Sequence, residues 1–256
     1  MLKLPELPIQ RILLALTPGR ISAIITNSKL FFIVGMGRSG TKFFTDLLNQ
    51  VDQIASFHET RSDYDALVEV YWDPAKGISY LSGSRERLIA ARILRTNCRI
   101  YGEVNSLLRH HVDALRQRWN PILFHLVRDG RSVVRSMMGR RAFTPEDQNH
   151  TGRIKPLESD PYYTRWDEMS RFERVCWYWA MTNEKLCQYK LPVIRFEDTI
   201  HSYYLFLDQV CNPLGIHLSE ETWRNEIQIP KNFSPSYGFA EWKDWTGEQK
   251  RQFVNI

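Results

Sequence analysis

An apolar run passes straight into a glycine-rich turn and then an amphipathic stretch at Phe31–Lys42, reading Phe-Phe-Ile-Val-Gly-Met-Gly-Arg-Ser-Gly-Thr-Lys. Strand, tight turn and helix in that order make a cradle for an anion. Gly35, Gly37 and Gly40 let the backbone turn sharply and come close to a ligand. The first free N–H groups of the helix, with Arg38, Ser39, Thr41 and Lys42, supply donors and positive charge. The ligand predicted from these residues is a nucleotide phosphate.

Further apolar runs that suit buried parallel strands follow at Ile54–Phe57, Arg99–Glu103, Ile122–Val127 and Val193–Phe196, beside Phe31–Val34 itself. Between them Ser84–Asn97, Ser106–Trp119, Arg131–Met138, Trp166–Tyr189 and His201–Asn212 carry apolar residues at helical spacing. This alternation predicts an α/β fold, three layers deep, around a central parallel sheet of about five strands. The aromatic stripe Trp177, Tyr178 and Trp179 is assigned to the core. Gly139–Tyr163, polar and interrupted by Pro and Gly, reads as a long surface loop and a candidate lid over a substrate. Lys231–Trp245, with Lys231, Ser234, Ser236, Tyr237, Trp242, Lys243 and Trp245, shows no periodicity.

With 256 residues, 43% of them hydrophobic, the chain can bury a sizeable core, and no linker, repeat or low-complexity run divides it. One domain over 1–256 is expected, with 1–29 as an N-terminal extension. Thr246–Gln249 matches a capping box, and the helix it opens is expected to continue past Ile256. The 34 basic residues are scattered among 29 acidic ones, so the formal charge of +5 favours small anionic ligands over nucleic acid. Cys98, Cys176, Cys187 and Cys211 form no CxxC pair and no metal-ligand spacing, and are expected as reduced core thiols. Pro5, Pro8 and Pro18 break up the apolar residues of the N-terminus, and no cleavage site follows Ile12–Leu16. Neither stable membrane insertion nor a signal peptide is expected, and a cytoplasmic location follows.

The first turn departs from a Walker A loop. Gly35-x4-Gly40 is followed by Thr41 and then Lys42, so the hydroxyl and the lysine of a magnesium-dependent phosphate loop have exchanged places. Ile122–Met138 is a second strand, turn and helix. Arg128 leaves that strand where ligands of open α/β sheets bind, and Ser136 lies about two turns into the helix.

Arg38-Ser39-Gly40-Thr41 resembles the 5′-phosphosulfate loop of sulfotransferases that use 3′-phosphoadenylyl sulfate (PAPS). Arg128 with Ser136 is similar to that family's 3′-phosphate site, and Pro192–Asp198 resembles its shared segment, with Phe196 in place of a nucleotide-contacting tyrosine. Arg-Asp-Gly-Arg from Arg128 and Glu-Thr-Arg from Glu59 resemble the tyrosylprotein branch most. The 21 residues from Arg38 to Glu59 are similar to the separation of loop arginine and catalytic glutamate there. Arg140 resembles a further contact of that branch. The matches cover Phe31–Arg61 and Ile122–Gly215, with a looser one at Trp242–Gly247.

The resemblance implies a P-loop NTPase-like sulfotransferase fold and transfer of a sulfuryl group from PAPS to a hydroxyl, releasing 3′-phosphoadenosine 5′-phosphate (PAP) without a metal. It implies Arg38, Ser39, Gly40, Thr41 and Lys42 at the 5′-phosphosulfate, Arg128 and Ser136 at the 3′-phosphate, and Lys42 or Lys243 assisting Arg38 at the bridging oxygen. Glu59 is the implied general base, with Glu103 as its rival and His58 third. The third strand reads Tyr101-Gly102-Glu103-Val104-Asn105, lacking both the family's lysine and the Lys-Thr-His of its cytosolic steroid and phenol members. The luminal cysteines of the tyrosylprotein site also have no counterpart. The acceptor stays open among small molecules, lipid headgroups, carbohydrates and peptides. Two other readings compete: a nucleotide or small-molecule kinase with an atypical P-loop, and a non-catalytic PAP or nucleic-acid binder.

Overall fold

Each expected apolar run becomes a strand of one sheet: Lys29–Gly35 (β1), Ile54–Phe57 (β2), Ile100–Val104 (β3), Ile122–Val127 (β4) and Val193–Arg195 (β5). The structure, a computed structural model, describes residues 9–147, 151–229 and 238–256. All neighbouring strands run parallel, in the order β2-β3-β1-β4-β5. Parallel strands need crossover connections, and helices supply them. Ile9–Leu14 (α1) and Pro18–Thr26 (α2) precede β1, and Thr41–Leu48 (α3) leads to β2. Asp63–Trp72 (α4), Lys76–Tyr80 (α5) and Glu86–Thr96 (α6) lead to β3, and Val112–Trp119 (α7) to β4. Gly130–Gly139 (α8) and Arg171–Gln188 (α9) lead to β5. Phe196–His201 (α10), Tyr203–Phe206 (α11), Asn212–Leu214 (α12), Glu220–Ile227 (α13) and Gly247–Asn255 (α14) follow. Among the described residues no helix is long and apolar enough to cross a membrane.

Alternation along β1 divides the core. Phe32 and Val34 pack with Ile89, Leu108 and Leu115 on one face, and Phe31 and Ile33 with Phe44, Leu47 and Phe206 on the other. Helices therefore cover both faces, the three layers that the alternating sequence predicts. At the centre of β3, Gly102 leaves room for the ring of Phe31, since a Cβ there would lie 1.8 Å from it.

Several expected helices break where a side chain captures the backbone. Ser106–Trp119 splits into a short 3-10 turn at Ser106–Leu108 and α7, because the Asn105 side chain accepts from Leu107 N at 3.0 Å and Arg109 Nη1 donates to the Ser106 carbonyl at 2.6 Å. His201–Asn212 is interrupted at Ser202, whose hydroxyl caps Leu205 N at 3.3 Å. The Trp166 segment begins its long helix only at Arg171, after a capping box between Ser170 and Glu173. Phe196 closes no strand; it opens α10.

Gly139–Tyr163 is not a surface loop throughout. Ala142, Asp147, Thr151 and Ile154 are buried, while most of its other described residues are exposed or partly exposed; its residues 148–150 lie outside the described residues. Of the cysteines, all free, Cys176 and Cys211 are core residues, but Cys187 is exposed on the outer side of α9. Thr246 and Gln249 form the expected capping box of α14. Lys231, Ser234, Ser236 and Tyr237 lie outside the described residues.

Candidate active site

Five parallel strands bring their C-terminal ends to one edge of the sheet, and the candidate residues gather there because each follows a strand directly. The turn Met36–Gly40 comes from β1, His58 and Glu59 from β2, Asn105 and Ser106 from β3, Arg128 from β4 and Phe196 from β5.

The turn after β1 is held tightly. Ser39 N donates to the Met36 carbonyl at 3.3 Å, and Arg38 takes a left-handed backbone, φ 75°, that a non-glycine residue adopts only at a cost. Gly40 is left-handed too, φ 97°, and the ring of Phe196 lies 2.4 Å from where a Cβ would stand. In α3 the first hydrogen bond of the turn runs from Phe44 N to the Gly40 carbonyl at 3.1 Å, so the N–H groups ahead of it are left without a partner inside the helix. Ser39 is buried, and its hydroxyl has no hydrogen-bond partner among the described residues. Gly40→Ala is expected to weaken nucleotide binding at least tenfold and to lower the melting temperature by several degrees. It adds about 1–2 kcal/mol of left-handed strain to the clash with Phe196; calorimetry and a melting curve read both.

Arg38 links the turn after β1 to Arg128 at the end of β4 and Ser136 in α8. Its Nε donates to the Ser136 hydroxyl at 2.9 Å, and its carbonyl accepts from Arg128 Nη1 at 3.0 Å. Arg128 stacks over Phe196, 4.7 Å from the ring centre, with Glu197 3.9 Å from its Nε. Glu197 also accepts from Asp129 N at 3.1 Å, and Asp129 caps α8 by accepting from Arg131 N and Ser132 N. Burial first, then the charges of Arg140 and Arg128, pushes the Arg38 pKa down to about 10, with Glu59 acting the other way. Three guanidiniums thus crowd one point, an arrangement that an anion would relieve.

Two hollows meet at this point. One, of about 380 Å³, is lined by Arg38, Gly40, Thr41, Lys42, Arg128 and Phe196, among others. The second, of about 240 Å³, contains Arg38 and Thr41 again, with Glu59, His58, Ser106, Arg140 and Tyr178. In the Glu59 cavity, Ser106 Oγ donates to Glu59 Oε1, His58 Nδ1 stands 3.9 Å from Glu59 Oε2, and His58 Nε2 meets Thr41 Oγ1 at 2.9 Å. The carboxylate is thereby held against the turn after β1.

Two expected site residues lie elsewhere. Glu103 is fully buried and lines neither hollow; its carboxylate is taken up by Arg85, by Arg92 at 3.4 Å, by the Tyr101 hydroxyl and by Asn105 Nδ2 at 3.1 Å. Lys243 sits in a short turn that Trp245 anchors to Phe172 and Phe239, and its side chain points outward, 74% exposed, 3.5 Å from Glu241. Lys42 lines the Arg128 groove from the exposed side of α3 and pairs with Asp46.

Sequence reasoning missed Ser106, Arg109, Asp147, Thr151 and Tyr178, all of which line the Glu59 cavity. Ser106 was open to the same strand-end logic that found Glu59. Tyr178, assigned to the core with its aromatic neighbours, is indeed buried but also walls the cavity, whereas Trp177 is core alone and Trp179 packs on Gly130.

No protein-family model matches this chain, and no curated protein sequence matches it. Among solved structures it is similar to a sulfotransferase, STF1 from Mycobacterium tuberculosis H37Rv, at 11% identity and a TM-score of 0.49 over 97% of this chain and 82% of that one.

Proposed function

We propose that this protein transfers a sulfuryl group from PAPS to the hydroxyl of a small acceptor, releasing PAP. The observation that carries this reading is the position of Arg38, shared by a phosphate-turn groove on one side and a carboxylate-bearing cavity on the other. A transferred group held at Arg38 faces both a nucleotide and a base.

The residues fit such a donor. The unpartnered Ser39 hydroxyl, the first N–H groups of α3, and Arg38 and Lys42 suit a 5′-phosphosulfate. Arg128, whose Nε has no hydrogen-bond acceptor among the described residues, suits a 3′-phosphate, with Ser136 one hydrogen bond from Arg38. Phe196 offers a ring where the family has tyrosine. Bound there, the donor supplies an SO3 group on a phosphate leaving group. Glu59 takes the acceptor proton as the hydroxyl oxygen bonds to sulfur and the bridging S–O bond breaks, and Arg38 stabilises the electron pair left on the phosphate oxygen. Ser106 holds one oxygen of the carboxylate, and the second stands 3.9 Å from His58 Nδ1.

The test is nucleotide choice. Thermal shift without magnesium should show PAP stabilising the protein more than ATP does, and labelled PAPS should turn over once an acceptor is supplied. A preference for magnesium-ATP would replace this reading with a kinase. Arg128→Ala should weaken PAP binding at least tenfold more than it weakens adenosine 5′-phosphosulfate, which lacks the 3′-phosphate; equal losses would remove Arg128 from that role.

A further inference from the structure

The Glu59 cavity contains a charge that proton removal and nucleotide binding do not use. Arg109 follows the Ser106–Leu108 turn, lines the cavity and is only 2% exposed. Its Nη1 and Nη2 donate to two neutral acceptors, the Ser106 carbonyl and the Tyr178 hydroxyl, and its Nε has no acceptor among the described residues. Arg85, equally buried, lies between the carboxylates of Asp63 and Glu103. Among the described residues Arg109 has no such counter-ion. Glu59 directs one oxygen to Ser106, and Asp147 accepts from the N–H and hydroxyl of Thr151. Its other titratable neighbours offer no counter-charge: the Lys185 ammonium is disfavoured by burial first, favoured by Asp113 and disfavoured again by Arg109, and His110 is held neutral by burial and then by Arg109.

A guanidinium withdrawn from water without a counter-ion is costly, and a ligand anion is what offsets that cost. We propose that Arg109 anchors a carboxylate of the acceptor, so that the substrate is a compact hydroxy acid with an apolar or aromatic body. This rests on the sulfuryl-transfer reading of the same cavity. Size and walls point the same way, since about 240 Å³ bounded by Met36, Leu67, Leu107 and Tyr178 admits one ring and its substituents. A single negative charge suits the cavity better than a phosphate ester, because Glu59 and Asp147 face the same space and oppose a second.

Calorimetry with 4-hydroxyphenylacetate and 4-hydroxyphenylacetamide, run with and without PAP, separates charge from shape. The acid is expected to bind wild type roughly tenfold or more tighter than the amide. Arg109→Gln should bring the two within about twofold, and Arg109→Lys, which keeps the charge and loses the fork, should retain part of the preference. Equal binding of the two probes by wild type, no binding of the acid at millimolar concentration, or an undiminished preference in Arg109→Gln would overturn the proposal. The wild-type comparison and Arg109→Lys decide the matter even if Arg109→Gln does not fold. Failure of PAP to bind would count against the nucleotide reading alone, since the carboxylate preference is read independently of it.

Discussion

Glu59→Gln is expected to lower kcat roughly a hundredfold or more while PAP affinity stays within about twofold of wild type. The substitution keeps the side chain's shape and its capacity to accept from Ser106 Oγ, so the cavity should hold its form. What it removes is basicity. The Arg128 groove does not include Glu59, which is why nucleotide binding is expected to be spared. Acceptors whose hydroxyl is already acidic need less help from a base and should lose less. Single-turnover kinetics with labelled PAPS, beside PAP titration, measures both quantities; full turnover in the variant would take the base role away from Glu59.

Glu103→Leu should fail in the opposite way, by unfolding. Its carboxylate, fully buried, shares Arg85 with Asp63, and Asn105 Nδ2 joins the two at 3.1 Å from Glu103 and 2.8 Å from Asp63. Burial alone would raise the Asp63 pKa, but Arg85 and the hydrogen bonds from Tyr80, Asn105 and Thr60 hold it below its ordinary value. Removing one carboxylate leaves Arg85 half-compensated in the interior, a change that costs about 3–5 kcal/mol. Urea unfolding should show that loss, and the melting temperature should fall by roughly 10 °C. Thr60 N donates to Asp63 Oδ2 at 2.9 Å, so the same network braces the turn that carries Glu59. A Glu103→Leu protein with wild-type stability and no activity would return Glu103 to the role of base.

The contrast between these carboxylates shows where reading the chain stops. Glu59 and Glu103 both stand at strand ends, and local pattern does not separate them. Glu103 is the fourth residue of β3, a strand buried on both sides, whereas Glu59 lies two residues beyond β2, where the backbone has left the sheet. Arg85 and Arg109 make the same point from the other sign of charge. Each is a buried arginine, yet one finds two carboxylates and the other two neutral acceptors, according to which elements fold against it.

Local chemistry written in the chain was enough for the strands, the parallel α/β architecture and the tight glycine-rich turn after β1, because apolar periodicity and glycine spacing act over a few neighbouring residues. Which charged groups meet was decided only by the tertiary structure. The order β2-β3-β1-β4-β5 sets β1 between β3 and β4, and so brings Arg38 against Arg128 and Ser136, 90 and 98 residues away, with Ser106 against Glu59 across 47. Glu103, in β3 between β2 and β1, is sealed inside, while Lys243, in a turn beyond the sheet, is left outward. Desolvation and pairing depend on all the elements packed around a group, and no window of sequence contains them.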